Sequence, residues 1–197
     1  MIKQPQSSHE TLRRRLLLGG TTALSATAVA LLAGAPAWAA TKTAARHDPS
    51  RDAAVLNTAL ALEYEGINAY TLGAQSNLLE KSVLAVAVKF QDDHKAHRDR
   101  LISVIKSLGA TPVQEKALAA YAKELEVEKL KSQADVLDFA AGLERGATNA
   151  YLGIIPSFAD HALAKLAGQL AADETEHFIV LTQALGRPLP PPFSFGV

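Results

Sequence analysis

Residues 62–70 read LEYEGINAY, and residues 143–151 read LERGATNAY, which is the same pattern 81 positions further along the chain. Both stretches begin with Leu-Glu and end with Asn-Ala-Tyr. A second related pair reads DHKAH at residues 93–97 and DETEH at residues 173–177, at an offset of 80. Two segments that recur at nearly the same offset indicate two copies of one structural unit.

Apolar residues around these stretches recur with the 3.6-residue period of amphipathic helices. The pattern predicts four long helices, which cover about 52–76, 83–108, 134–155 and 160–185. Asp52 is the predicted cap of the first helix. The second and fourth helices both end at Leu-Gly, so each predicted hairpin closes in the same way. Residues 113–131 are charged with only a thin apolar stripe, which predicts a surface crossover between the hairpins.

The sequence therefore predicts an all-α fold, an antiparallel four-helix bundle with a long crossover between two related helix hairpins. A chain of 197 residues is long enough for one well-filled domain of this kind. The predicted organisation is an export signal, a linker, the bundle and a Pro-rich tail, over 1–39, 40–51, 52–186 and 187–197.

The first segment has the features of a cleavable export signal. Arg13 to Arg15 precede a diluted apolar run over 16–35, and Ala37 and Ala39 supply the small residues that a signal peptidase requires. The arginines resemble those of twin-arginine signals. Cleavage leaves no stable membrane span and places the protein in the periplasm or otherwise outside the cytoplasm. An uncleaved anchor is the alternative, which the glycines, threonines and serine of the run disfavour.

Composition narrows the classes of function. The chain has no cysteine, which excludes disulfides, thiolate metal sites and thiol nucleophiles. Its 20 basic and 20 acidic side chains cancel, so no basic surface for nucleic acid is expected.

The predicted apolar helix faces carry polar side chains that no lysine or arginine on the same faces neutralises. Buried carboxylates without partners are costly, and a cation is the partner that relieves them most effectively. A Glu on each of two helices with Glu-x-x-His on the other two is the ligand set of di-iron and di-manganese bundles. The candidate metal ligands are Glu63, His94, His97, Glu144, Glu174 and His177.

With these motifs, residues 52–186 resemble the ferritin-like superfamily, and more narrowly the exported bacterial ferritin-like domain proteins. The resemblance implies two metal ions, which would be iron in most relatives; manganese, copper and zinc are alternatives. Position 94 departs from the family, because His94 stands where a Glu is usual. Exchanging a bridging carboxylate for an imidazole favours metals that prefer nitrogen, such as copper or zinc.

Three functions are consistent with the sequence. The leading hypothesis is an exported metal-binding oxidoreductase that acts on dioxygen or peroxide through two metal ions. The second is a periplasmic metal-binding or stress protein without turnover, and the third is a metal-free helical scaffold. A homodimer is the default oligomer for such bundles.

Four further residues lie near the predicted ligands in the sequence. Asp93 and Asp173 each precede a histidine by four residues, and we expect them to hydrogen-bond imidazoles instead of binding metal. Tyr70 and Tyr151 are interpreted as core residues, with a hydrogen bond to a ligand or an electron relay as the alternative.

Other polar residues are assigned to the surface. Glu65 is expected to be solvated because its counterpart in the second repeat is Gly146. His161 has no counterpart in the second helix and His47 lies in the linker, so both are expected at the surface. The alternating acids and lysines over 123–131 are also expected to form a solvated face.

Overall fold

The computed structural model describes residues 48–196. Over this range the chain forms α-helices and short 3₁₀ turns and contains no strand. The helices are α1 Pro49–Gln75, α2 Lys81–Ser107, α3 Leu118–Glu124, α4 Gln133–Ile154 and α5 His161–Ala184. The 3₁₀ turns are Val127–Lys129 and Ile155–Ser157. Helices α1, α2, α4 and α5 form the four-helix bundle, so the predicted all-α fold is confirmed.

The predicted export signal and its cleavage site lie within residues 1–47, outside the described residues. Between residues 48 and 196, no helix is both long enough and apolar enough to cross a bilayer. The division into signal, linker, bundle and tail stays a prediction.

The first helix begins earlier than its apolar pattern predicts. Asp48 caps it by accepting hydrogen bonds from the backbone amides of Ser50 and Arg51, and Pro49 occupies the first helical position. The predicted cap Asp52 is instead buried inside the helix. Sequence reasoning chose the wrong aspartate because it began the helix at the first apolar repeat.

The two hairpins end with the same turn. The amide of Ala110 bonds to the carbonyl of Ile105, and the amide of Arg187 bonds to that of Thr182, both at about 3.0 to 3.1 Å. Such six-to-one bonds need a left-handed residue just after the helix. Gly109 and the equivalent Gly186 supply it with φ of 79° and 68°.

The bundle is built from two tightly paired hairpins, α1 with α2 and α4 with α5, which meet along α1 and α4. The crossover between them is only partly helical and packs its short helix α3 on α1. Tyr121 and Leu125 anchor the crossover in the core, while its acids and lysines are exposed as predicted.

The interior has three layers along the bundle axis. A large apolar cluster, with Leu60, Leu101 and Leu170 among its members, fills one end. A smaller cluster that includes Tyr70 and Phe90 fills the other end. Because all four long helices pass through both clusters, the polar residues between them lie in one buried layer. This layer contains the predicted metal ligands.

The repeated asparagines hold the segments that lie outside the bundle. Asn68 donates to the Glu115 carboxylate of the crossover at 2.6 Å. Its counterpart Asn149 accepts from the amide of Gly196 in the tail at 2.8 Å. Phe195 packs edge-on against Phe178 of α5, so the Pro-rich tail lies along the second hairpin.

Candidate metal centre

All six predicted ligands converge in the polar layer, and each is less than 10% exposed. Their donor atoms form two groups, in each of which the atoms lie within 4.8 Å of one another. Both groups contain His94 and Glu174. The first group adds Glu63 and His97, and the second adds Glu144 and His177. The repeat therefore builds two half-sites that share two residues.

The two aspartates bind the histidines crosswise between the hairpins. Nε2 of His97 is 3.1 Å from Asp173, and Nε2 of His177 is 3.3 Å from Asp93. When Nε2 donates a hydrogen bond to a carboxylate, the lone pair is on Nδ1 and points into the site. The predicted hydrogen-bonding role of both aspartates is confirmed, and each aspartate serves the histidine of the other hairpin.

Four of the inward-facing ligand atoms have no hydrogen-bond partner within residues 48–196. This applies to Nδ1 of His97, Nδ1 of His177 and both carboxylate oxygens of Glu174. Nδ1 of His97 is 3.3 Å from Glu174, and Nδ1 of His177 is 3.5 Å from it, without hydrogen-bond geometry. Buried polar atoms normally find a partner. Carboxylate oxygens and imidazole nitrogens that point towards a common centre fit the coordination of a metal ion.

Two tyrosines hold the outer carboxylates. The hydroxyl of Tyr70 donates to Glu144, and the hydroxyl of Tyr151 donates to Glu63, so each bond joins the two hairpins. Burial, reinforced by the adjacent carboxylate, raises the pKa of both phenols well above 10. The tyrosines remain protonated donors, and their interpretation as simple core residues was incomplete.

His94 differs from the other two histidines because both of its ring nitrogens have hydrogen-bond geometry to carboxylates of the site. Nδ1 is 2.8 Å from Glu63, and Nε2 is 3.3 Å from Glu144. The ring therefore spans the two half-sites. A neutral imidazole has one lone pair for a metal, so His94 can serve one half-site at a time.

Gly66 makes room for this imidazole. A Cβ atom at position 66 would lie 3.0 to 3.2 Å from three atoms of the His94 ring. Sequence reasoning missed Gly66. The available signal was the repeat itself, in which Gly66 corresponds to Ala147 while His94 corresponds to Glu174.

Charges within the layer set the carboxylate protonation of the metal-free protein. Burial opposes ionisation of Glu63, but the imidazoles of His94 and His97 outweigh it and lower its pKa to about 2. The carboxyl of Glu174 behaves in the opposite way. Its burial and the negative charges of Glu144 and Glu63 exceed the effect of His94 and raise its pKa to about 7.

The imidazoles hold protons tightly when no metal is present. Burial disfavours a charged ring, but the carboxylates around His97 raise its pKa to about 10 and those around His177 raise it to about 9. The pKa of His94 is also raised well above 6.5, chiefly by Glu174 and Glu144 against the effect of burial. The protonated rings are thus stabilised by the carboxylates around them, and a metal ion must displace their protons.

Two surface predictions can be compared with the structure. His161 is exposed as expected. The prediction for Glu65 was wrong, because this side chain is only 5% exposed and borders a small cavity beside Glu63 and His94. The glycine at its repeat position gave no information about burial. His47 lies outside the described residues.

Comparison with known proteins agrees with this geometry. The ferritin-like domain family matches residues 51–187. The chain therefore belongs to the ferritin-like domain family.

One similar solved structure is a conserved hypothetical protein from Mycobacterium tuberculosis, at 24% sequence identity and a TM-score of 0.61. The match covers 73% of this chain and 97% of that one, and it supports the fold alone. No curated protein matches the sequence.

Proposed function

We propose that this protein binds two metal ions in the buried layer and acts as an oxidoreductase on dioxygen or peroxide. The observation that supports it best is the set of inward donor atoms without hydrogen bonds. These are Nδ1 of His97, Nδ1 of His177 and both oxygens of Glu174. A site in which aspartates orient the imidazoles while their inner nitrogens lack hydrogen bonds fits a metal better than a hydrogen-bonded core.

The proposed ligands divide between the half-sites. Glu63 and His97 would hold one ion, and Glu144 and His177 the other. Glu174 has an oxygen for each and is the proposed bridge. His94 would bind one of the two ions. Metal ions that change oxidation state would supply the electron transfer that reduction of dioxygen or peroxide requires.

The chain's own residues keep this centre rigid and small. Tyr70 and Tyr151 fix the outer carboxylates by hydrogen bonds from opposite hairpins. A cavity of about 20 Å³ borders Glu63, Glu144 and His94, and it has room for about one water molecule. The space beside the ligands therefore suits a substrate of very few atoms.

Metal binding without turnover is the second candidate, and His94 is the observation that favours it. An imidazole in place of a carboxylate leaves three acids among the six ligands and so less negative charge to stabilise oxidised ions. Iron is the proposed metal by family resemblance, with manganese, copper and zinc as alternatives. The proposed location, on the export-signal pattern, is the periplasm.

A paired substitution on α5 tests this proposal. Glu174→Ala removes the proposed bridge, while Glu176→Ala removes an exposed acid two residues away. We expect protein loaded with ferrous or manganous ions to consume peroxide or dioxygen, and only Glu174→Ala to abolish this. Bound metal without consumption would support the second candidate, and equal activity in both variants would contradict the proposed site.

A further inference from the structure

A second cavity of about 720 Å³ lies at the end of the bundle that contains the smaller apolar cluster. It is formed by the C-terminal parts of α1 and α5, the N-terminal parts of α2 and α4, and residues 127–131 of the crossover. Its volume lies within the range of about 300 to 1,000 Å³ that is typical of small-molecule sites. The metal centre does not use this space.

The floor and the rim of the cavity differ in chemistry. The floor consists of buried side chains that include Tyr70, Leu137 and Leu181. The hydroxyl of Tyr70 already donates to Glu144, so it is committed to the metal centre. The exposed rim carries Lys131 and Ser82. An occupant with an apolar inner end and a polar outer end satisfies both surfaces.

We propose that this cavity binds a single-chain amphiphile, a long-chain fatty acid, with its alkyl chain on the apolar floor. Lys131 provides the charge for the carboxylate. Its ammonium group donates to the backbone carbonyl of Glu128, which holds the cation at the rim. Glu128 is the acid among the lining residues and is exposed.

The fatty-acid site does not require metal in the polar layer. The two sites share Tyr70, which lines the cavity and donates a hydrogen bond from its hydroxyl to Glu144. Binding to metal-free protein therefore tests the fatty-acid site separately from the proposed oxidoreductase function.

The α2 helix offers a matched pair of variants for the test. Val86 lines the cavity and is 37% exposed, while Val88 is 45% exposed and does not line it. Because both side chains are exposed, either position can accept a polar residue. The Val86→Glu and Val88→Glu variants should therefore fold alike. Ala140→Trp fills the cavity from α4, and circular dichroism checks its folding.

The measurement is displacement of a fluorescent fatty acid by palmitate from delipidated, metal-free full chain. We expect saturable binding near one molecule per chain. Val86→Glu should weaken it about tenfold or more because the new charge meets the alkyl chain, and Val88→Glu should not. Lys131→Gln should weaken palmitate binding but leave hexadecanol binding unchanged, and Glu128→Gln should weaken neither.

Three results would overturn the fatty-acid site. The first is an absence of saturable binding, or equal binding by the Val86→Glu and Val88→Glu variants. The second is a dimer that Val86→Glu dissociates, which would assign the cavity to a second copy of the chain. The third is binding that occurs only after removal of residues 1–39, which would assign the cavity to the apolar run at 16–35.

Discussion

Gly66 lies directly against the imidazole of His94, because a Cβ atom at position 66 would be 3.0 Å from Cε1 and 3.1 Å from Nδ1 of that ring. In the second repeat the corresponding residues are Ala147 and Glu174. The repeats therefore differ at two positions that face each other in space. The first repeat combines an imidazole ring with a glycine, and the second repeat combines a slimmer carboxylate with an alanine.

Gly66→Ala should destabilise the protein only while the ring is present. Alanine in a helix interior gains about 0.5 to 1 kcal/mol over glycine, but overpacking a core costs about 1 to 3 kcal/mol. We expect a net loss of about 1 kcal/mol in wild type and a gain in the His94→Ala background. Urea unfolding of the metal-free variants measures this coupling.

Gly153→Ala is the control for that cycle, because a Cβ at position 153 meets no atom within 4 Å. It should be neutral or stabilising in both backgrounds. Equal effects of Gly66→Ala with and without the His94 ring would refute the steric match.

Tyr70→Phe and Tyr151→Phe should each weaken metal binding to a similar extent. Each change removes one hydrogen bond to an outer carboxylate, at Glu144 or Glu63. Loss of a partner that orients a ligand typically reduces metal affinity by about 10- to 100-fold. Competition with a chelator of known affinity gives the dissociation constants.

Tyr121→Phe is the matched control, because this buried tyrosine accepts a hydrogen bond from the amide of Lys116 in the crossover. It should lower stability by about 1 kcal/mol and leave metal affinity unchanged. The same loss of affinity in all three variants would show that the tyrosines act through general stability alone.

Asp93→Ala and Asp173→Ala should each act on the histidine of the opposite hairpin. Asp173 bonds to His97, and Asp93 bonds to His177. We expect about 10- to 100-fold weaker metal binding in each variant. In the metal-free protein, NMR titration should show that Asp173→Ala changes the pKa of His97 and that Asp93→Ala changes the pKa of His177.

Asp92→Ala provides the control, since Asp92 is exposed and pairs with Lys95. Its effect on either titration should be negligible. If Asp93→Ala altered His97 instead of His177, the crossed arrangement would be wrong.

The metal-free protein should lose stability as the pH rises above 6.5. The pKa of His97 is raised from 6.5 to about 10 and that of His177 to about 9, so folding favours their protonated forms. Their stabilisation is complete below pH 6.5 and disappears as the pH passes through 9 and 10. Glu174 acts in the same direction, losing its contribution between pH 4.5 and about 7.

At acid pH the dependence of stability on pH is reversed. The pKa of Glu63 is lowered from 4.5 to about 2, so its stabilisation is lost as the pH falls through this interval. Stabilisation by bound metal should instead increase as the pH rises, because the ligands must lose protons to bind the metal. Thermal unfolding from about pH 2 to about pH 9.5, with and without metal, checks these trends, with His161→Gln as an exposed control.

The sequence was sufficient for the fold and for the composition of the polar layer. The helical period of the apolar residues, the residues that end each helix and the internal repeat placed Glu63, Glu144 and the histidines on buried faces. The structure brings these residues together. The geometry of the ligands could not be predicted from the sequence, because the crossed hydrogen bonds of Asp93 and Asp173 depend on how the two hairpins pack together. A repeat reveals equivalent positions along the chain but not contacts between its copies.

Two errors have a common physical origin. Asp52 and Glu65 were interpreted as a cap and a surface acid, and both are buried in α1. Charged residues are rarely buried without partners, so composition argued against their true positions. Local sequence patterns do not show which charged residues tertiary contacts will accommodate.

Elemental analysis of the protein isolated from its native compartment tests the central claim most directly. The claim is that the buried Glu and His side chains form a metal centre with two half-sites sharing Glu174. We predict close to two metal ions per chain, and loss of both in Glu174→Ala but not in Glu176→Ala. A protein that contains no metal, and whose thermal stability is unchanged by added iron, manganese, copper or zinc, would contradict it.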